Sequence, residues 1–188
     1  MTDQIVFHFF DKKVDGRELS NFYEGQVVVE GRTYNSGEAA FHGMKYIKIS
    51  EASENGERKN VLEKYGEKFE IAGEFGNFPG GEIKKRGGKK GLTLNDRELR
   101  VWADEGRNVQ SKICAYKYNS DARVKFVLDG TGNKFLIHPA MRCSDFQVDK
   151  KYWEGRGKVE NGMLSVRGAN MLGNIWMMLR DDVEGVTF

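Results

Sequence analysis

The 188-residue sequence holds only two prolines, two cysteines and three histidines, and its 30 basic residues are nearly matched by 28 acidic ones, for a net charge of +2. Each scarcity excludes something. Cys114 and Cys143 stand 29 residues apart with no CxxC pattern, so a disulfide scaffold and a CxxC redox or zinc motif are both excluded, and the thiols suit a reducing compartment. His8, His42 and His138 are scattered without ligand spacing, which argues against a zinc site. The balanced charge excludes a globally basic nucleic-acid binder and leaves any such role to local patches. No apolar run approaches the ~18 residues of a membrane span, and the opening Met1-Thr2-Asp3-Gln4 lacks the basic start of a secretory signal. The expectation is a soluble intracellular protein, cytoplasmic or nuclear, with no membrane partner.

Glycine, by contrast, is plentiful: 23 residues, about 12% against a typical ~7%. With 39% hydrophobic residues the composition is that of an ordinary globular chain, and one domain over residues 1–188 is expected. Ile5-Val6-Phe7-His8-Phe9-Phe10 reads as a buried strand. Gln26-Val27-Val28-Val29-Glu30 and Arg32-Thr33-Tyr34 flank Glu30-Gly31 as a hairpin, and Phe135-Leu136-Ile137 reads as one more strand. From residue 34 helix signals dominate, covering residues 37–49, 57–65, 96–118, 121–129 and 170–180. In the third, Asn95 and Glu98 have capping-box spacing, and Leu99, Trp102, Val109, Ile113 and Tyr116 share one stripe. Gly130 reads as the stop of the fourth. Residues 66–92 and 153–168 read as long Gly-rich loops, a length that usually signals function or mobility.

Four segments carry candidate chemistry. In Tyr34-Asn35-Ser36-Gly37-Glu38-Ala39-Ala40-Phe41-His42-Gly43-Met44-Lys45, Glu38 and Lys45 lie seven residues apart, close to two helical turns. A carboxylate and an amine then project from one side, with His42 near them. Two plainer readings compete: a solvated face opposite Ala40, Met44 and Ile47, and a capping box in which Glu38 answers Asn35. The stretch from Pro79 to Gly91 has five glycines and five basic residues against the single acid Glu82. Backbone N–H groups and positive charge together suit a phosphate, and a solvated loop explains the same composition. Trp102 is either part of its apolar stripe or a platform for a ligand. In the tail, Tyr152-Trp153-Glu154-Gly155-Arg156-Gly157 and then Arg167-Gly168-Ala169-Asn170 precede a helix whose start would offer N–H groups to a diphosphate. Leu172, Ile175, Trp176 and Leu179 are the apolar face of that helix.

Taken in order, these segments resemble the NADAR superfamily of YbiA-like N-glycosidases over residues 7–181. The matching pieces are Leu19-Ser20-Asn21-Phe22-Tyr23, Tyr34-x-Ser36-x-Glu38-Ala39-Ala40-Phe41-x-x-x-Lys45, Trp102, Tyr152-Trp153, and Gly168-x-Asn170-x-Leu172-Gly173 with Met177 and Arg180. The resemblance implies an α+β fold, mainly helical, in a single domain with a small N-terminal β element. It further implies ADP-ribose-like or ribosyl-amine substrates, cleavage of the bond from ribose C1 to nitrogen, and neither a metal nor another cofactor. It assigns catalysis to Glu38 and Lys45. Substrate contacts are expected at Asn21, Phe22, Ser36, Arg86, Gly87, Gly88, Lys89, Trp102, Trp153, Gly168, Asn170 and Gly173. Where the family often has an aspartate three residues before the second tryptophan, this chain has Lys150, with Asp149 one step earlier. The long stretch from Gly157 to Gly168 departs from the compact enzymes that act on riboflavin-pathway intermediates. It favours the members that remove ADP-ribose from guanine, in nucleotides or in single-stranded DNA. A non-catalytic ADP-ribose reader is the alternative from another class.

Overall fold

The computed structural model describes residues 6–10, 12 and 15–181. In chain order the elements are β1 (Val6–His8), a 3-10 turn (Arg17–Leu19), β2 (Glu24–Val29), β3 (Arg32–Ser36), α1 (Gly37–Glu51), α2 (Gly56–Glu67) and α3 (Gly80–Gly87). They continue with α4 (Asp96–Ser120), α5 (Ala122–Gly130), β4 (Phe135–Ile137), α6 (Asp145–Val148), β5 (Arg156–Glu160), β6 (Met163–Arg167) and α7 (Met171–Arg180). Two compact units emerge. One is the uninterrupted stretch 21–117, and the other is assembled from residues up to 20 together with residues from 118 onward.

In the stretch 21–117, β2 and β3 pair antiparallel, with Val27 opposite Tyr34 and Val29 opposite Arg32. Glu30 and Gly31 close the hairpin at φ +50° and +78°. Two successive left-handed residues make the turn whose twist matches that of the strands. The ladder shifts register between Glu24 and Val27, leaving Gly25 and Gln26 out of step. Ser36 ends β3 and caps α1 by accepting a hydrogen bond from the Ala39 N–H at 3.2 Å. Asn35 is therefore not the cap: its amide donates to the Gly76 carbonyl at 2.8 Å and to Asn77 Oδ1 at 2.9 Å. Helix α1 is buried on nearly every side, and Ala39, Ala40, Met44, Tyr46, Ile47 and Ile49 join Val27, Val29, Tyr34, Leu62, Phe69, Phe75, Ile83, Val109 and Ile113 in one apolar core.

Helix α3 falls inside the stretch 66–92 that the sequence reading leaves as loop. Ile83 and Gly87 are its buried residues, and Lys84, Lys85 and Arg86 occupy its last turn, so no apolar period announces it. Helix α4 opens as expected: the Asn95 N–H donates to Glu98 Oε2 at 2.9 Å and the Glu98 N–H to Asn95 Oδ1 at 3.0 Å. Leu99 departs from the expected stripe and is half exposed. The buried slot beside it is taken by Glu98, which Arg58 grips through Nε and Nη2 at 2.7 and 2.8 Å.

In the other unit, β1 pairs parallel with β4, Val6 against Phe135 and His8 against Ile137. Ile5, the expected first residue of that strand, lies outside the described residues. Leu19 is buried, and its carbonyl accepts from Trp176 Nε1 at 3.0 Å. Asp121 caps α5, and Gly130 is the last residue of that helix rather than its stop. Residues 153–168 are largely a hairpin instead of a loop. β5 and β6 pair antiparallel around Asn161 and Gly162, at φ +51° and +79°. Among the described residues no helix is long and apolar enough to cross a membrane.

Candidate active site

Helix α1 carries Glu38, His42 and Lys45 on one side. Glu38 Oε1 and His42 Nε2 are 3.1 Å apart, one helical turn from each other. Glu38 and Lys45 are only 7% and 9% exposed, so the reading of a solvated face does not hold. The capping box with Asn35 does not hold either, because Ser36 caps the helix and the Glu38 N–H donates to the Asn21 carbonyl at 2.8 Å. Asn21 is itself fixed. Its Nδ2 donates to Gln110 Oε1 at 2.8 Å, Gln110 Nε2 donates back to Asn21 Oδ1 at 3.0 Å, and the second Gln110 proton reaches Cys114 Sγ at 3.3 Å. A buried amide pair with both ends satisfied holds its members to one arrangement.

Lys45 donates from Nζ to the Gly87 carbonyl, the last of α3. Burial pushes its pKa down from 10.5 to about 8, against the opposing pull of the Glu38 charge. An amine with that pKa is neutral in about a tenth of molecules at pH 7. Gly87 also receives the Tyr46 hydroxyl at 3.4 Å, and a Cβ at residue 87 would overlap the His42 ring. Only a residue without a side chain lets α3 come this close to the Glu38–His42 pair.

Beside the start of α1 lies a cleft of about 380 Å³, lined by Phe22, Glu24, Gly25, Gln26, Asn35, Ser36, Gly76, Asn77, Phe78, Gly80 and Ile83. Asn21, Phe22, Ser36 and Gly87, named from the resemblance, are thus gathered around the cleft and the first turns of α1. Trp102 is half-buried against the core, with its ring edge-on to Phe41 at 4.9 Å between centroids. Arg86 stands 5.5 Å from the Phe75 ring centroid, and its Nε is buried with no partner among the described residues. Gly88 and Lys89 are exposed. At the far end of this segment three N–H groups are already bonded within it: those of Gly88 and Lys90 to the Lys85 carbonyl, and that of Gly91 to the Gly88 carbonyl.

Trp153, Gly168, Asn170 and Gly173 belong to the other unit. Trp153 packs edge-on against Tyr152. The expected free N–H groups at the start of the last helix are spent there: Asn170, Met171 and Leu172 donate to the carbonyls of Glu154, Tyr152 and Trp153. Asn170 bridges to β4, donating to the Leu136 carbonyl at 2.8 Å and accepting from the His138 N–H at 3.1 Å. Asp149 is held by Arg167 at 3.0 and 2.8 Å. No group of three His, Cys, Asp or Glu side chains among the described residues is placed to hold a metal ion. Sequence reasoning missed Gln110, which fixes Asn21, and Glu24, which lines the cleft. Gln110 meets its partner across 89 residues, a distance at which no local pattern gives notice.

The chain matches no protein-family model and no curated protein. Among solved structures it matches the NMR structure of the E. coli protein YbiA over 97% of this chain and 86% of that one, with a TM-score of 0.58 and 18% identity. The fold is YbiA-like. It is the mainly helical α+β fold that the ordered motifs imply.

Proposed function

We propose that this protein is an N-glycosidase that hydrolyses the ribose C1–nitrogen bond of ADP-ribosylated guanine. The observation that carries the reading is the burial of a carboxylate and an amine of depressed pKa on one side of α1. Ion-pair residues that merely solubilise a helix stay in water, whereas a buried amine of depressed pKa beside a buried carboxylate is a candidate for proton transfer and covalent chemistry. In the proposed reaction the Glu38 carboxyl gives its proton to the leaving nitrogen while the C1–N electron pair moves onto that nitrogen and positive charge gathers on the ribose. The resulting carboxylate then takes a proton from the water whose oxygen bonds to C1, leaving a ribose 1-hydroxyl and free guanine. Protonated Lys45 would stabilise substrate charge. Neutral Lys45 would instead add to C1 of the ring-opened sugar, the C1–N bond to guanine would break as Glu38 protonates the leaving nitrogen, and water would cleave the resulting Schiff base to return the free amine and ADP-ribose. Arg86 and Lys89 are the proposed contacts of the diphosphate, and Trp102 that of a stacked base.

The test incubates the full chain with ADP-ribosylated guanine nucleoside and single-stranded oligonucleotide, with riboflavin-pathway ribosylamino-pyrimidine phosphates, and with free ADP-ribose, following products by mass spectrometry. The expected result is release of ADP-ribose and unmodified guanine. A preference of about tenfold or more in kcat/KM for the pyrimidine would move the protein to riboflavin intermediates, and tight ADP-ribose binding without turnover would make it a reader.

A further inference from the structure

The cleft beside α1 is bounded by Ser36, the cap of the helix that bears Glu38 two residues later. Its walls carry two aromatic rings, Phe22 and Phe78, and its volume lies at the small end of ligand pockets. A side chain at Gly80 would overlap the Phe22 ring, so bare backbone forms that part of the lining. The polar lining divides into committed and open groups. Asn35 and Asn77 are bonded to each other, and Asn35 also to the Gly76 carbonyl. Glu24 is exposed and its carboxylate makes no ion pair or side-chain hydrogen bond with another described residue. Helix α3 begins at Gly80, and the N–H groups of a helix's first residues have no acceptor within the helix.

We propose that this cleft seats the leaving base and that Glu24 selects it, by accepting two hydrogen bonds from an amino-lactam ring edge. Guanine presents a ring N–H beside an exocyclic N–H, with a carbonyl oxygen on the far side, and a carboxylate takes the two adjacent donors in one bidentate contact. The carbonyl oxygen then meets the Gly80 end of the cleft, where backbone donors lie. An exocyclic amine that already bears a ribose keeps one N–H, so the edge survives in the substrate. Adenine turns a ring lone pair toward the carboxylate and is repelled. Hypoxanthine lacks the exocyclic donor. The aminopyrimidinone ring of riboflavin precursors shares the guanine edge, so the proposal is for the amino-lactam chemistry, whichever source supplies it. It deepens the N-glycosidase reading and rests on it for the word "leaving", while the binding preference itself needs no turnover.

The experiment measures binding of GMP, IMP, AMP and a ribosylamino-pyrimidinone phosphate by calorimetry to the full chain, wild type and Glu24→Gln. The wild type is expected to bind the two amino-lactam ligands about tenfold or more tighter than IMP and AMP, with the preference lost in Glu24→Gln. Glu24→Ala, which leaves the backbone pairing of residue 24 with Ser36 in place, should lose it too. Affinity for GMP against the pyrimidinone then separates the two sources. Equal binding of all four by the wild type, or an unchanged preference in both variants, overturns the proposal even if ADP-ribosyl-guanine is hydrolysed. Selective GMP binding with no hydrolysis upholds it and sinks the N-glycosidase reading instead.

Discussion

Lys45 Nζ and the Gly87 carbonyl oxygen are hydrogen-bonded across 42 residues of chain. The bond joins the middle of α1 to the end of α3 and gives the buried amine a neutral partner. A neutral acceptor does little to offset the loss of hydration, which is why burial dominates the behaviour of this lysine.

Lys45→Met is expected to stabilise the protein while abolishing turnover. The folded pKa, about 8, lies below the ordinary 10.5, so between those values the unfolded chain binds more protons and stability rises with pH. Below pH 8 both states hold the proton and the full burial penalty stands, on the order of 3 kcal/mol at most. The gain in Tm from Lys45→Met should therefore be largest at or below pH 7 and shrink toward pH 10.5. Thermal melts across that range check it, and a variant less stable than wild type at pH 7 refutes it.

If Lys45 acts as a neutral nucleophile, kcat should climb as pH rises through about 8 and then level. Borohydride added during turnover should trap an adduct on Lys45, visible by peptide mass mapping. Lys45→Arg retaining full activity with no trapped adduct would leave only the electrostatic role.

Glu38→Gln should lower kcat by about 10² to 10⁴ with little change in Tm. The backbone bond to Asn21 and the Ser36 cap do not involve the Glu38 carboxylate, and the glutamine oxygen can keep the contact with His42 Nε2, so stability and activity are separable at this residue. A folded variant with wild-type kcat would remove Glu38 from the chemistry.

Gly87→Ala introduces a methyl into the His42 ring. The overlap is expected to destabilise by about 1–3 kcal/mol in urea titration, and to depress activity by moving the Lys45 acceptor. Stability unchanged within error would mean that α3 does not press on α1 as described.

Gln110→Leu removes the partner of Asn21 on both sides of the amide pair. We expect a loss of ~1–3 kcal/mol and a fall in kcat larger than the rise in KM, because Asn21 holds the backbone of Glu38. A change confined to KM would detach this pair from the placing of Glu38.

Five helices are legible in the sequence from their apolar period, with capping in agreement at Asn95 and Glu98. Helix α3 is not, since Ile83 is its lone deeply buried anchor and its basic residues read equally well as a solvated loop. The hairpin of β5 and β6 does carry a signal, the pair Asn161-Gly162. Its strands lack an alternating apolar pattern, because none of the residues from Arg156 to Glu160 or from Met163 to Arg167 is fully buried. At the site, seven-residue spacing puts Glu38 and Lys45 on one side of a helix, yet spacing cannot tell a solvated side from a buried one. That distinction is made by α3 and its Gly87. The amide pair that secures Asn21 depends on tertiary approach alone.

Strand β1 takes its partner from β4, so Val6 waits for Phe135. On a ribosome the stretch 21–117 is complete when its last residue emerges, whereas the parallel pair cannot close until the chain has grown well past it. Synthesis thus orders the two events, the locally connected stretch first and the one with distant ends second. Nascent chains arrested near residue 150 should already protect Leu62 and Ile113 from proteolysis while leaving the β1 segment the more labile part.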